Sequence, residues 1–170
     1  MLPSAITAEK IAARFCAVLA CPAMHVGVRT DGERIAEIAY LPSCVPLAPP
    51  RNRLAARAAR QLDRYLENPG ARFELPLAVV GSAYQRRVWA AISAIPCGRT
   101  ATYGQLAKAL RSAPRAIGQA CGANWFPLVI PCHRVVGAND LGGFAHHGEG
   151  FHIEIKRWLL RHEHALPGHA

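Results

Sequence analysis

Two short helix-forming segments, separated by only three residues, constrain the fold of this chain more than any other feature. The first is TYGQLAKAL, over 102–110, and the second is PRAIGQACGAN, over 114–124, with the link RSA between them. Pro114 is well placed in the first turn of the second helix, because its fixed φ and missing N–H suit that position. Two short helices with a tight link are typical of a helix-turn-helix, which normally places its second helix in a DNA groove.

The rest of the second half also reads as mostly helical. We predict a helix over 82–95 with Ser82 as its N-cap, because the apolar residues recur at helical spacing after a good capping residue. An apolar, extended segment is predicted over 127–137, followed by a glycine-rich loop. A closing helix is predicted over 152–163.

The first half has the pattern of a small α/β unit. Asp31 and Gly32 supply a turn between two segments of alternating apolar residues, which predicts a β-hairpin. The other predicted elements are a helix over 7–20, a proline-rich loop over 42–50, a helix over 51–68 and a strand over 72–80. The fold class is therefore α+β or α/β, with an N-terminal domain over 1–80 and a mostly helical C-terminal domain over 81–170.

Charge is distributed unevenly along the 170 residues, which carry a formal net charge of +9. The first 81 residues hold ten basic and seven acidic side chains, whereas residues 82–170 hold ten and four. A basic second half favours a polyanionic partner, nucleic acid above all, although a merely soluble basic surface explains the charge equally well. No apolar run is long enough to span a bilayer, and no signal peptide is evident, so a cytoplasmic location without membrane contact is expected.

Six cysteines are present without a C-x-x-C pair, and most should be free thiols in a reducing compartment. Cys16, Cys21 and His25 resemble the start of a zinc site, but the spacing is loose and no partner cluster follows. We therefore expect no metal and no cofactor.

A Cys-His pair after a proline, at Pro131-Cys132-His133, is the strongest chemical signal in the chain. A thiolate is a nucleophile, and a histidine can take its proton. Neighbours in an extended strand point to opposite faces, so a bend after Pro131 or a bridging water is needed to bring the two groups into contact. From the local pattern alone, a nucleophilic Cys132 and an inert buried thiol remain about equally supported.

A carboxylate should orient the imidazole if the pair is catalytic, as in a triad. Glu163, on the closing helix, is the best-placed candidate. Asp140 and Glu149 lie in the glycine-rich loop and are weaker candidates.

These motifs resemble the O6-alkylguanine-DNA alkyltransferases, which are methylated-DNA–protein-cysteine methyltransferases. PCHRV is similar to the active-site signature of that family. The resemblance extends through GSAYQRRVWAAISAIPCGRTATYGQLAKAL, PRAIGQACGANWFPLVIPCHRVVG and GGFAHHGEGFHIEIKRWLLRHE, which together cover residues 81–163 almost continuously. Residues 1–80 are compatible with the variable N-terminal domain of the family but do not identify it.

The resemblance implies the chemistry of direct damage reversal in DNA repair. Cys132 accepts the alkyl group from O6 of guanine, His133 acts as base through a water, and Glu163 holds His133. The thioether that forms is stable, so the protein acts once, as a suicide methyltransferase.

The resemblance also implies the pocket for the base. Tyr103 donates to the leaving guanine, Asn124 forms the hinge behind the recognition helix, and the carbonyls of Cys132 and Val135 read the exocyclic amine. Phe144 and Ala145 border the alkyl group and the base. Trp125 stands where a proline is common in the family, which could narrow the pocket or repack the hinge.

The partner that the resemblance implies is double-stranded DNA containing O6-alkylguanine, bound by a monomer. Arg115 corresponds to the family's arginine finger, which fills the gap left by the flipped base. Phosphate contacts are expected from basic residues of the second half: Arg86, Arg87, Arg99, Lys108 and Arg111.

One departure from the family is a longer loop that carries three histidines, His146, His147 and His152. A solvated loop is favoured over a metal site, because no cysteine or carboxylate is spaced to complete one.

Three alternatives remain open: a non-catalytic alkyltransferase-like protein that binds lesions, a helix-turn-helix transcription regulator, and a Cys-His hydrolase. The first is disfavoured by the presence of Cys132, and the second leaves the Cys-His-Glu set unexplained. The third lacks a separate oxyanion-hole motif.

Overall fold

A three-stranded antiparallel sheet forms the first part of the molecule, in a computed structural model that describes residues 6–143 and 150–166. The strands are β1 (Ala17–Cys21), β2 (Met24–Thr30) and β3 (Ile35–Leu41), in the order β1-β2-β3. The predicted hairpin is confirmed as β2 and β3, joined through Asp31 and Gly32. Gly32 has a φ of 112°, which favours glycine at this turn.

The helix predicted over 7–20 is wrong for most of its length. Only α1 (Ala8–Ala12) is helical, and the chain then enters β1. The alanines of this stretch favour a helix, but antiparallel pairing with β2 satisfies the backbone of residues 17–21 instead. Ala17 and Val18 are buried by this pairing, so burial outweighs local propensity.

A long helix, α2 (Arg53–Glu67), follows the proline-rich loop, as predicted, and Asn52 caps it by accepting from the Ala55 N–H at 2.8 Å. The strand predicted over 72–80 is reduced to a single parallel bridge between Leu77 and Ile35. Pro76 has no N–H to donate, so the ladder cannot continue there.

The helices predicted for the second half are present in the described residues. They are α3 (Ala83–Ser93), α4 (Tyr103–Leu110), α5 (Pro114–Gly122) and α6 (Phe151–His162). Ser82 and Gln85 form a capping box at the start of α3, in which the Ser82 hydroxyl accepts from the Gln85 N–H at 3.1 Å. The link between α4 and α5 is Arg111–Ala113, with Arg111 in the left-handed conformation at a φ of 52°.

The two halves share one apolar core. Met24 and Tyr65 from the first half are buried in the same cluster as Trp89, Ile92 and Leu159 from the second. The α+β class is therefore confirmed, while the division at residue 80 stays a prediction. Across residues 6–143 and 150–166, no helix is both long and apolar enough to cross a membrane.

Candidate active site

Cys132 lies in a tight turn, not in the extended segment predicted over 127–137. Cys132–Arg134 form a single 3-10 turn, and the chain then enters β5 (Val135–Val136), which pairs in parallel with β4 (Ala101–Thr102). The Arg134 N–H donates to the Pro131 carbonyl at 3.0 Å, which closes the turn. Pro131 starts this bend, so neighbouring side chains no longer alternate across a strand.

Asn124, which follows α5, holds the segment before this turn. Its Oδ1 accepts from the Phe126 N–H at 2.9 Å, and its Nδ2 donates to the Ile130 carbonyl at 2.9 Å. The same Nδ2 lies 3.0 Å from the Cys132 sulfur. One side-chain amide therefore fixes both ends of the 126–130 loop and offers an N–H to the thiol.

His133 and Glu163 form a fully buried pair. His133 Nε2 lies 2.8 Å from Glu163 Oε1, and their side chains are 1% and 0% exposed. The other imidazole nitrogen, Nδ1, is buried and has no hydrogen-bond partner in the described part of the chain. That nitrogen is therefore available to a further group, such as a water that bridges toward the thiol.

Two further side chains bind the same carboxylate. Arg134 donates through Nε to Glu163 Oε2 at 2.9 Å and through Nη2 to Oε1 at 3.0 Å. The Tyr65 hydroxyl of α2 donates to Oε1 at 2.8 Å. A carboxylate without solvent contact needs such donors, because burying an unpaired charge is costly.

These contacts shift the pKa values of the pair. Burial alone raises the pKa of Glu163, but hydrogen bonds from His133 and Arg134 outweigh it and lower the pKa to about 2. Burial lowers the pKa of His133, and this effect exceeds the opposing pull of Glu163. The structure thus favours a neutral imidazole beside an ionised carboxylate at neutral pH.

Cys121 on α5 is in contact with Cys132, and both thiols are free. The neighbouring Cys121 thiol, followed by burial, raises the pKa of Cys132, whereas Asn124 and Lys156 act to lower it. The two thiols line a cavity of about 230 Å³ whose wall also includes Tyr40, Pro127 and His152. Although only 3% exposed, Cys132 therefore borders a cavity.

Lys156 of α6 lies beneath this site and is fully buried. Its Nζ donates to the Val135 carbonyl at 2.6 Å and to the Gly143 carbonyl at 3.0 Å. Burial lowers the pKa of Lys156 to about 8, against the opposing effect of the two cysteines. The Val135 carbonyl therefore already accepts one hydrogen bond, and only its second lone pair is available to a base.

Tyr103, at the start of α4, faces the same region from the other side. Its hydroxyl donates to the Gly143 carbonyl at 3.0 Å, and Lys156 Nζ lies 5.8 Å from the centre of its ring. Burial, and then Cys121 and Cys132, raise the pKa of Tyr103, so the phenol stays protonated at neutral pH. Gly142 is packed so closely that an added Cβ would lie 2.7 Å from the Tyr103 ring.

Three predicted pocket residues are placed differently or not described. Trp125 is 44% exposed, and its carbonyl accepts from the Ile38 N–H of β3 at 2.9 Å. Phe144 and Ala145 lie outside the described residues, as do His146, His147 and Glu149. Asp140 is exposed, and its Oδ1 accepts from the Gly142 N–H at 2.8 Å. The roles predicted for these residues stay predictions.

The basic side chains predicted to contact DNA are all exposed. Arg115 lies at the start of α5, next to Pro114. Two of them also make backbone contacts: Arg86 donates to the Gly81 carbonyl, and Arg87 donates to the Leu110 carbonyl at the end of α4 at 3.0 Å. The others are Arg99, Lys108 and Arg111.

The N-terminal Cys16, Cys21 and His25 do not come together as a metal site. Among the described residues, no group of three such side chains could hold an ion. The Cys16 sulfur lies 3.5 Å from the Thr30 hydroxyl, and His25 Nδ1 lies 2.8 Å from the Val45 carbonyl.

Four side chains at the site were not predicted from sequence: Tyr65, Cys121, Arg134 and Lys156. Arg134 directly follows the Cys-His pair in the sequence, so its presence at the site could have been predicted. Tyr65 is 98 residues from Glu163 along the chain, and no local pattern connects them.

Fold and site together define a class: an α+β protein with a buried thiol beside a His-Glu pair, close behind two short helices with exposed arginines. Comparisons with known proteins identify the class more closely. Residues 83–165 match the family described as 6-O-methylguanine DNA methyltransferase, DNA binding domain.

Similar proteins carry matching names. The methylated-DNA–protein-cysteine methyltransferase of Archaeoglobus fulgidus is 44% identical over 51% of this chain and 58% of its own length. That of Methanosarcina acetivorans is 41% identical over 62% of this chain and 67% of its own. The crystal structure of Mycobacterium tuberculosis OGT in complex with DNA has a TM-score of 0.71 at 28% identity, covering 87% of this chain and 91% of the other.

This chain belongs to the methylated-DNA–protein-cysteine methyltransferase family. It spans between about half and two thirds of the length of the curated relatives it matches.

Proposed function

We propose that this protein repairs DNA by transferring an alkyl group, such as methyl, from O6 of guanine to the sulfur of Cys132. Family membership supports the reaction. The observation that carries the proposal is the arrangement of Cys132, which borders a cavity and adjoins a buried His133–Glu163 pair. An inert core thiol does not require a neutral imidazole and an ionised carboxylate beside it.

The proposed reaction is an in-line displacement. The Cys132 thiol gives its proton to His133 through a bridging water, since Nδ1 of His133 has no partner among residues 6–143 and 150–166 and can accept. The sulfur then forms a bond to the alkyl carbon as the bond from that carbon to O6 breaks. The electron pair stays on guanine, which takes a proton as its charge develops.

Tyr103 is the proposed donor to the departing guanine. Its phenol is protonated, because its pKa is raised, and it lies on the same side of the site as Gly143. The product is a thioether, which no group at the site can cleave. Each molecule therefore acts once.

The partner in this proposal is double-stranded DNA that contains O6-alkylguanine, bound by a monomer inside the cell. The alkylated base must leave the stack to reach Cys132, at a cost of a few kcal/mol. Arg115 is exposed at the start of α5, where it can fill the vacated space. The other exposed basic residues can contact phosphates, which gives affinity without sequence preference.

A turnover experiment tests the proposal. A duplex oligonucleotide with one O6-methylguanine is mixed with limiting protein, and the conversion of the lesion to guanine is counted by chromatography. We expect one conversion per protein molecule, and none for Cys132→Ser, which should still bind the duplex.

The other outcomes separate the alternatives. Binding by the unaltered protein without conversion would indicate a lesion-binding protein or a transcription regulator. Repeated turnover of an ester or amide substrate would indicate a hydrolase.

A further inference from the structure

The carboxylate of Glu163 receives a hydrogen bond from outside the family-matched segment. The Tyr65 hydroxyl, on α2 in the first half of the chain, donates to Oε1 at 2.8 Å. His133 Nε2 contacts the same oxygen at 2.8 Å, while Arg134 bridges both oxygens. The imidazole and the phenol therefore share one acceptor atom.

Tyr65 is held firmly enough to act on this carboxylate. It is 2% exposed, and its ring packs against Phe73 and His162 with centroid distances of 5.3 and 5.0 Å. Its backbone carbonyl also lies 2.7 Å from Nε2 of His162, one residue before Glu163. Side chain and main chain of Tyr65 thus both connect α2 to the end of α6.

We propose that Tyr65 is a positioning residue, which acts through Glu163 to hold His133 as a neutral base. A hydrogen bond to a carboxylate spreads its negative charge over the donor. Less charge then remains to stabilise an imidazolium at the other contact of Oε1. The first half of the chain thereby contributes directly to the alkyl-transfer site, and the inference rests on the proposed function of that site.

The pKa shifts of Tyr65 and His133 agree with this geometry. Burial, and then the negative charge of Glu163, raise the pKa of Tyr65, so the phenol remains a donor at every working pH. Burial lowers the pKa of His133 although Glu163 pulls it upward. Besides Tyr65, His133 and Glu163 themselves, the titratable and charged groups around them are Tyr40, Cys97, Arg134, Lys156 and His162.

Removal of the hydroxyl should therefore raise the pKa of His133. Tyr65→Phe keeps the ring and its packing, and Arg134 still holds the carboxylate in place. The negative charge of Glu163 that the Tyr65 hydroxyl shared is then concentrated on the carboxylate, where it stabilises the protonated form of His133. Because the imidazole then protonates at a higher pH, the base is lost earlier as the solution is acidified.

The pH dependence of single-turnover transfer, at saturating protein, tests this inference. The rate of transfer should fall as the solution is acidified, and we call this fall the acidic limb of the rate profile. In Tyr65→Phe its midpoint should lie about one pH unit higher, so that at pH values below the midpoint the rate is about tenfold lower than in the unaltered protein. At pH 8 the rate should stay within about twofold. A merely structural role would lower the rate equally at all pH values, and that result, or a limb that stays or moves down, would overturn the inference.

Tyr84→Phe is the control, because it removes a tyrosine hydroxyl that also makes a short side-chain contact, 2.6 Å from the Ser112 hydroxyl, at a half-buried place away from Glu163. Its acidic limb should coincide with that of the unaltered protein. Unfolding by urea confirms that both variants are folded.

A measurement without DNA separates this inference from the proposed function. The ring carbon resonance of His133, assigned by its loss in His133→Gln, is followed against pH in the free protein. Its midpoint should rise in Tyr65→Phe and not in Tyr84→Phe, whether or not the protein transfers an alkyl group. An unchanged midpoint overturns the role of Tyr65, whereas absence of transfer in the unaltered protein overturns the proposed function alone.

Discussion

Replacement of Glu163 by glutamine should destabilise the protein through the loss of one buried charge. The side chain is 0% exposed and accepts from Tyr65, His133 and Arg134. Glutamine has nearly the same shape, but it leaves the Arg134 guanidinium, whose side chain is only 13% exposed, without its counter-charge. Breaking a buried ion pair in this way typically costs about 3 to 5 kcal/mol.

The lowered pKa of Glu163 gives a second, independent magnitude. The folded value is about 2 and the ordinary value 4.5, and each pH unit of difference is worth about 1.4 kcal/mol. The ionised carboxylate therefore contributes about 3 kcal/mol to the free energy of unfolding at pH 7. Because the folded pKa is the lower one, this contribution is complete above pH 4.5 and is lost as the pH falls toward 2.

Urea unfolding of Glu163→Gln and the unaltered protein, from pH 7 down to pH 3, measures both effects. The difference in unfolding free energy should be about 3 kcal/mol at pH 7 and shrink to about 1 kcal/mol at pH 3. Glu154→Gln is the control on the same helix, because its side chain is 68% exposed and pairs with Arg157 at 2.6 Å. The reasoning would be refuted if both variants lost the same free energy of unfolding. It would also be refuted if the loss in Glu163→Gln did not change with pH.

Four other substitutions have distinct expected results. Arg115→Ala should slow transfer from duplex DNA more than transfer from the free alkylated base. If Arg115→Ala and the unaltered protein repaired duplex DNA at the same rate, Arg115 would have no part in base flipping. Cys121→Ser should lower the pKa of Cys132, because a serine hydroxyl donates to the thiolate without ionising; the pH dependence of iodoacetamide alkylation measures it. Lys156→Met should raise that same pKa, because a nearby positive charge is lost, and alkylation at pH 7 should slow accordingly. Ser82→Ala should lower the free energy of unfolding by about 1 kcal/mol, measured in urea, because the capping box is lost.

Elements with strong local signals were predictable from the sequence. Ser82 and Pro114 each mark a helix start, and the structure has α3 and α5 beginning at or beside them. Asp31 and Gly32 likewise predicted the turn of the hairpin that β2 and β3 form. In these cases one residue sets the element boundary through its side-chain cap or its own backbone preference, so local sequence is sufficient.

Elements determined by pairing over a distance were not predictable. The stretch before and within β1 contains several alanines, which favour a helix, but pairing with β2 and with Ala48 makes it a strand. Cys132 lies in a turn because Asn124 holds the preceding loop from the end of α5. Tyr65 reaches Glu163 only after the whole chain has folded, and the same applies to the contact between Cys121 and Cys132.

The mass of the peptide that contains Cys132, after incubation of the protein with O6-methylguanine duplex DNA, tests the central claim most directly. Fragmentation of that peptide locates the added group. The account predicts a gain of one methyl group on the Cys132 sulfur, with guanine restored in the DNA in equal amount. An unmodified Cys132 in a protein that binds the duplex, or a methyl group on Cys121 alone, would contradict it.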